Sequence, residues 1–256
     1  MARTGSFPVH VATWLIEKYA AAGSVILDPF CGKGTTLLAG RLMGFSSYGT
    51  DIAPEAVVCT RAKMVPVDLR ELLTYIDSLN DQPCSEKVPG NVRLFFHHTT
   101  LSDLLAVRRR LLSDLRASDS RLAEKAVVGL AACLGILHGH TSLALSLPCS
   151  HAYSMSPEYV RRFAREHNLR RPRRDVVACL KAKISKCFGE ALPPAVVHDV
   201  RRGSAQHIGI VFSDLLGKVD LIRPNPNVAA VPTVIGSSRM LSCFDLRIEG
   251  RYAGKP

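Results

Sequence analysis

The segment Val25-Ile-Leu-Asp28-Pro-Phe-Cys-Gly32-Lys-Gly34-Thr35-Thr36, followed by Tyr48-Gly-Thr-Asp51, limits the fold of this chain more than any other part of it. Ser24 to Leu27 is a short apolar run of the kind a parallel sheet buries on both faces, and Asp28-Pro29 stops it. Gly32 and Gly34 lack a Cβ, so the backbone turns sharply and a ligand can lie against it. The spacing predicts a helix from about Thr35 to Met43, whose first N–H groups face that ligand. Leu37, Leu38 and Leu42 form its apolar stripe, Gly44 ends it, and Ser47 to Thr50 returns as the neighbouring strand. Asp51 closes that strand roughly 20 residues beyond the turn, where a carboxylate accepts hydrogen bonds from ribose hydroxyls. The fold class these elements imply is α/β, a doubly wound Rossmann-like sheet.

Three ligand classes compete for such a unit. A dinucleotide fingerprint needs a third glycine where this chain has Leu37, and a phosphate-cradling loop needs Ser or Thr directly after the lysine, where Lys33 is followed by Gly34. Both patterns fail.

Asp28-Pro-Phe-Cys-Gly32-Lys-Gly34-Thr-Thr resembles the S-adenosylmethionine motif of amino-methyltransferases, the enzymes that methylate adenine N6 or cytosine N4 in DNA. Phe7-Pro8, ahead of an apolar helical stretch through Tyr19, is similar to the element that lines the methionine end of the cofactor in that family. Asp51 with Ile52-Ala-Pro54 is similar to its ribose-binding position, and the resemblance is dense from Phe7 to Lys63. It implies S-adenosylmethionine as cofactor, held by Phe7, Pro8, Asp28, Phe30, Gly32, Gly34, Thr35 and Asp51. Asp199, at the end of an expected third strand Val196 to Asp199, matches the family's acid near the adenine. RNA guanine-N2 methyltransferases carry a similar turn, so an RNA base methyltransferase is the first alternative.

The family's catalytic motif is Asp, Asn or Ser followed by Pro-Pro and an aromatic, after the fourth strand. Following an expected strand Gly217 to Ile222, this chain reads Arg223-Pro-Asn225-Pro226-Asn227-Val228. Asn225 and Pro226 match as the catalytic pair; Asn227 and Val228 depart from it, and Val228 offers no ring to stack on a base. Two expectations follow: a longer methyltransferase truncated or altered at this motif, or a non-catalytic module that binds cofactor and nucleic acid. The pattern is lost within a few residues, as a changed reading frame or early stop would produce, which favours the first.

A net charge of +11 and a pI near 9.5 make a polyanion the natural partner. DNA is expected ahead of RNA, and a membrane is not, since no run of about 18 apolar residues occurs. Between Arg161 and Lys186 stand Arg161, Arg162, Arg165, Arg170, Arg171, Arg173 and Arg174 with three lysines, against Glu166 and Asp175 only. Tyr153, Tyr159 and Phe163 sit at the leading edge, which suits phosphate contacts beside stacking surfaces.

The length and 47% hydrophobic content allow one α/β domain with a modest insertion. The expected organisation is a cofactor part over 1–80, a linker around Asp81 to Asn91, a helical target-recognition insertion over 91–192, remaining strands over 193–228 and an irregular tail over 229–256. Within the insertion, Leu94 to Leu115 has helical spacing, and Ala123 to Leu147 reads as a buried helix pair. The N-terminus shows no basic segment, apolar stretch and cleavage site in sequence, so the expected location is cytoplasmic. Eight cysteines without a C-x-x-C pair predict buried thiols rather than a zinc site or a disulfide framework. Pro148-Cys149 resembles the nucleophile of cytosine-C5 methyltransferases, but the glycine turn lacks that family's form. His97-His98, His138-Gly-His140 and His151 have no acid or cysteine at ligand spacing, so no metal is expected.

Overall fold

The computed structural model describes residues 7–79, 86–149, 156–188 and 198–203, together with the backbone of Thr233–Val234. The chain divides into two compact units, one of residues 4–60 with 195–256 and one of residues 61–194 with 1–3.

The first unit is built on a parallel sheet. Helix α1 (Val9–Tyr19) starts after Pro8, whose extended backbone serves as its N-cap. Strand β1 (Val25–Asp28), helix α2 (Thr35–Leu42) and strand β2 (Ser46–Asp51) follow, then helix α3 (Pro54–Met64), whose last turn passes into the second unit. Strands β3 (His198–Arg202) and β4 (Thr233–Val234) complete the order β3-β2-β1-β4. All pairings are parallel, so helices must carry the chain between strands. Ala12 and Ile16 of α1, Ile26 of β1 and Ala39 of α2 form a core cluster, with Phe7 packed against it.

Sequence and structure differ here at particular places. The first strand is one residue later than Ser24 to Leu27, so Asp28 is part of the ladder, paired with Gly49. In α2, Leu37 is buried but Leu42 is exposed, because the helix packs through Thr36, Ala39 and Gly40 instead. β2 reads Ser-Ser-Tyr-Gly-Thr-Asp, yet Ser47 and Thr50 are fully buried. Their hydroxyls are satisfied: Ser47 Oγ lies 2.6 Å from His198 Nδ1, and Thr50 donates to Pro29 O at 2.9 Å. The third strand continues past Asp199 to Arg202, with His198 its first described residue; Val196 and Val197 lie outside the described residues. The tail expected to be irregular supplies β4, pairing Ile26 with Thr233. The expected strand Gly217 to Ile222 lies outside the described residues.

The second unit is helical. Helices α4 (Leu69–Asp77), α6 (Ser120–Ile136), α7 (Pro157–Glu166) and α8 (Val176–Cys187) each follow an Asp or Ser whose side chain accepts a first-turn N–H: Asp68, Asp119, Ser156 and Asp175. Helix α5 (His98–Asp114) packs on α6 and α8, and α4 packs on α6 and α8. Gly129 permits the close approach of α6, since a Cβ there would meet Leu111 of α5 at 2.7 Å. The helical unit thus begins near Arg61 rather than at 91, because the apolar face of α4, Leu72 and Ile76, belongs to this core. Ala123 to Leu147 holds one helix and not a pair. After Ile136 the chain runs through a polar turn, Gly139 takes φ +149°, and Ser146 bridges to Phe96. His138 Nδ1 holds this turn to Ser146 Oγ at 2.9 Å.

Among the described cysteines, Cys187 is exposed and Cys59 half-buried, while Cys31, Cys133, Cys149 and Cys179 are buried. Among the described residues, no helix is long and apolar enough to cross a membrane, and no cluster of three or more His, Cys, Asp or Glu could hold a metal ion.

Candidate functional site

The strand order reverses at β1: β2 and β3 lie to one side and β4 to the other. In open parallel sheets the crevice at the carboxyl ends of the strands beside such a reversal is where ligands sit. Residues 28–34 form the turn at that end of β1.

Each backbone bend of the turn is held. Phe30 N–H donates to Asp28 Oδ1 at 3.0 Å, Cys31 N–H to Thr50 O at 2.9 Å, and Gly34 N–H to Cys31 O at 2.6 Å. Gly32 N–H donates to Asp51 Oδ2 at 3.0 Å, and Ala53 N–H donates to Asp51 Oδ1 at 2.9 Å. The carboxylate that ends β2 therefore ties the glycine turn to the start of α3. From α3, Thr60 Oγ1 donates to Gly32 O at 3.0 Å. Gly32 and Gly34 take φ of +52° and +73°, the left-handed region. At Gly34 a Cβ would also strike Thr60 Cγ2 at 2.5 Å, whereas the nearest atom at Gly32 is Phe30 O at 3.8 Å. Space at Gly34 is taken by the protein, and space at Gly32 is open.

Helix α2 begins on Gly34 with no side chain capping it, unlike the capped helices of the helical unit. The Thr36 hydroxyl in its first turn is buried without a hydrogen-bond partner. It tempers the charge state of Asp28 as a nearby dipole, while its geometry falls short of a hydrogen bond.

Asp28 is 2% exposed, and burial pushes its pKa up to about 6 despite the dipoles of Thr36 and the Phe30 N–H, with the Asp51 charge adding to the rise. It shapes the turn from beneath. Burial, with Asp28 beside it, pushes the Cys31 thiol up to about 12, and burial also raises Cys149, so neither is a thiolate at neutral pH.

Asp28, Phe30, Gly32, Gly34, Thr35 and Asp51 are thus brought together at the end of β1. Phe7 packs on the core cluster and Pro8 caps α1. Asp199 is not brought to the turn. It is the second residue of β3, paired with Tyr48, while Asp51 pairs with Arg202. Three residues of strand place it about 10 Å short of the Asp51 level, and Arg201 holds its carboxylate at 2.8 Å. Asn225, Pro226 and Tyr153 lie outside the described residues. Thr60, Thr50 and Thr36 are site residues that sequence reasoning missed. Only Thr36 stood inside a recognised pattern.

In the helical unit, Arg161, Arg162 and Arg165 lie on α7 and are exposed. Arg170, Arg171, Arg173 and Arg174 occupy the segment between α7 and α8. Arg171 Nη1 donates to Arg93 O at 2.9 Å. Arg174 N–H donates to Thr100 Oγ1 at 2.8 Å, and that hydroxyl donates to Arg174 O at 3.2 Å.

Fold and turn together put a glycine turn and a strand-end carboxylate at the carboxyl end of a parallel sheet, the place where α/β sheets bind ligands. Residues 3–61 match the family model described as DNA methylase. The chain is 32% identical over 77 residues to Type II methyltransferase M.MjaII of Methanocaldococcus jannaschii, a match covering 30% of this chain and 14% of that protein. It is 39% identical over 54 residues to Type II methyltransferase M.MvaI of Kocuria varians, covering 21% of this chain and 12% of the relative. It is 49% identical over 41 residues to Type II methyltransferase M.BsoBI of Geobacillus stearothermophilus, covering 16% and 8%. The chain therefore matches less than one sixth of the length of each of these relatives. A solved rRNA methyltransferase, aviRa from Streptomyces viridochromogenes, aligns over 84% of this chain and 58% of that one at 14% identity, with a TM-score of 0.28, too low to bear on the fold.

Proposed function

We propose that the α/β unit is the cofactor-binding part of a doubly wound, Rossmann-like methyltransferase domain. Its reaction is methyl transfer from S-adenosylmethionine to adenine N6 or cytosine N4 in DNA. The observation that carries this reading is the tie between Asp51 and Gly32 at the carboxyl end of β1.

The residues fit that cofactor. The open face at Gly32 and the uncapped start of α2 provide a cradle with backbone N–H groups in its wall. Asp51 stands at the carboxyl end of β2, the position from which a carboxylate accepts hydrogen bonds from ribose hydroxyls. Phe7 and Pro8 would line the methionine end, and Phe30 would pack beside the turn. Asp28 acts as a positioning residue, fixing the Phe30 N–H. When bound, the cofactor supplies a methyl group on a sulfonium, with a neutral thioether as leaving group.

An exocyclic amine is a poor nucleophile because its lone pair is delocalised into the ring, so an enzyme of this class extrudes the base and accepts hydrogen bonds from the amine. Asn225 is assigned that acceptor role and Pro226 the rigid backbone after it. The basic helical unit would hold the polyanion. Titration with S-adenosylmethionine, followed by measurement of labelled methyl incorporation into duplex DNA and into RNA, tests the reading. Saturable binding is expected; incorporation into DNA supports the catalytic assignment, binding without incorporation favours the non-catalytic module, incorporation into RNA alone would overturn the substrate, and no binding would overturn the whole reading.

A further inference from the structure

The arginines between 161 and 174 fall into two structurally different sets. Helix α7 is seated by Val160, 1% exposed, on Leu147 and Cys149, with Phe163 and Ala164 partly buried on the same cluster. A residue advances about 100° around a helix, so Arg161, Arg165, Glu158, Arg162 and Glu166 fall within one arc of roughly 140°, opposite Val160. All five are exposed. Along the border of this arc runs an aromatic ladder: Tyr159 stacks on Phe163 with centroids 5.6 Å apart, and Phe163 on His167 at 4.1 Å. Arg162 lies 5.8 Å from the Tyr159 ring centroid. The charged arc stands on a braced helix.

Arg171 and Arg174 are tied to other parts of the helical unit. Arg171 donates to the Arg93 carbonyl, and the backbone of Arg174 exchanges two hydrogen bonds with the buried Thr100 hydroxyl. Arg173 and Arg174 line a cleft of about 500 Å³ that Asp103 and Asp175 also line.

The signs on α7 discriminate between two ways of meeting a nucleic acid. Glu166 Oε1 lies 3.8 Å from Arg162 Nε along the helix, but phosphates repel carboxylates, and a face built for phosphates alone gains nothing from Glu158. Base edges in the major groove offer both kinds of partner: guanine O6 and N7 accept from arginine, and the cytosine N4 amine donates to glutamate. A helix of ten residues is about 15 Å long, and a major groove about 12 Å wide admits it.

We propose that α7 is the base-reading helix of this chain. Arg161, Arg162 and Arg165, with Glu158 and Glu166, read base edges in the major groove of duplex DNA, while Arg171 and Arg174 hold the loop that follows. This rests on DNA being the polyanion of the proposed function. The test is selection of duplexes bound by the full chain from a randomised pool, with each variant's melting temperature measured alongside. The wild type is expected to enrich a sequence motif. Arg161→Ala, Arg165→Ala and Glu166→Gln should each lower discrimination at one motif position by about 5- to 100-fold, with the melting temperature unchanged. Arg171→Ala should lower the melting temperature and leave the motif intact. No motif from the wild type, uniform weakening across all sequences by the α7 variants, or a motif shift from Arg171→Ala would overturn the proposal, as would preferential selection from a parallel RNA pool. Methyl incorporation is read separately: a motif without incorporation sinks the reaction and leaves this assignment standing, and incorporation without a motif does the reverse.

Discussion

Asp51 accepts the Gly32 N–H at 3.0 Å across 19 residues of sequence, so the acid at the end of the second strand is also the clamp on the glycine turn of the first. Its other oxygen accepts the Ala53 N–H at 2.9 Å. One carboxylate thus positions the turn and starts the approach to α3. On the proposed function, cofactor affinity and turn geometry are coupled through it.

Asp51→Asn keeps an oxygen for one backbone N–H and removes the charge. Hydrogen bonds to charged groups contribute about 1.5–3 kcal/mol, so the dissociation constant for S-adenosylmethionine should rise about 10- to 100-fold. Calorimetric titration reads this directly, and an unchanged constant would remove Asp51 from the site.

Gly34→Ala meets two obstacles at once, a φ of +73° and a Cβ 2.5 Å from Thr60 Cγ2. Left-handed backbone costs an L-residue about 1–2 kcal/mol, and overpacking typically adds 1–3 kcal/mol. Denaturant unfolding should show a loss of about 2–5 kcal/mol. A loss under about half a kcal/mol would mean the turn relaxes freely.

The pH dependence of Asp28 has a definite sign. Its carboxyl titrates near 3.8 in an unfolded chain and at about 6 in the folded one, so between those values the folded protein holds a proton that the unfolded chain has released. Its contribution to stability therefore falls as pH rises through this window and stays at the lower value above it, a drop of about 3 kcal/mol at most. Asp28→Asn is neutral throughout. The stability of the variant relative to the wild type should increase from pH 4 to pH 6 and then level off. A difference that stays flat across urea unfolding at pH 4, 5, 6 and 7 contradicts the assignment.

In the helical unit, the Tyr75 hydroxyl donates to Asp114 Oδ2 at 2.8 Å in a buried setting, and Arg110 Nε donates to both oxygens of the same carboxylate at 3.1 and 3.0 Å. Tyr75→Phe leaves the arginine contact and deletes one bond to a charged acceptor. Urea unfolding should show a destabilisation of about 1.5–3 kcal/mol. No measurable change would mean that the Arg110 contact alone satisfies Asp114.

The unit from Val25 to Asp51 was legible in sequence because its chemistry is local: glycines where the backbone must turn, an acid at the strand end, a helix with no cap of its own. What could not be read there was long-range. Thr60 lies 28 residues from Gly32 and has no periodicity that marks it. β2 was read as a strand, but the burial of Ser47 and Thr50 could not be, since their partners, His198 and the Pro29 carbonyl, are contributed from elsewhere in the unit. The third strand was expected to end at Asp199, while the ladder runs on to pair Arg202 with Asp51, so Asp199 lies three residues short of the strand's end. The apolar spacing of Ala123 to Leu147 suggested two helices; a polar turn at His138 to Ser142 ends the first, and the rest of the segment returns to meet Phe96. Composition located the arginine cluster, but only burial and hydrogen bonding separate its exposed members from those that hold the loop.

The most direct measurement is a calorimetric titration of the full chain with S-adenosylmethionine, run in parallel on the wild type and on Asp51→Asn. One saturable site in the wild type, weakened by the substitution, is the expected result. Absence of binding in a folded wild-type protein, confirmed by its circular dichroism, would contradict the assignment of the Asp28 to Thr36 turn as a cofactor site.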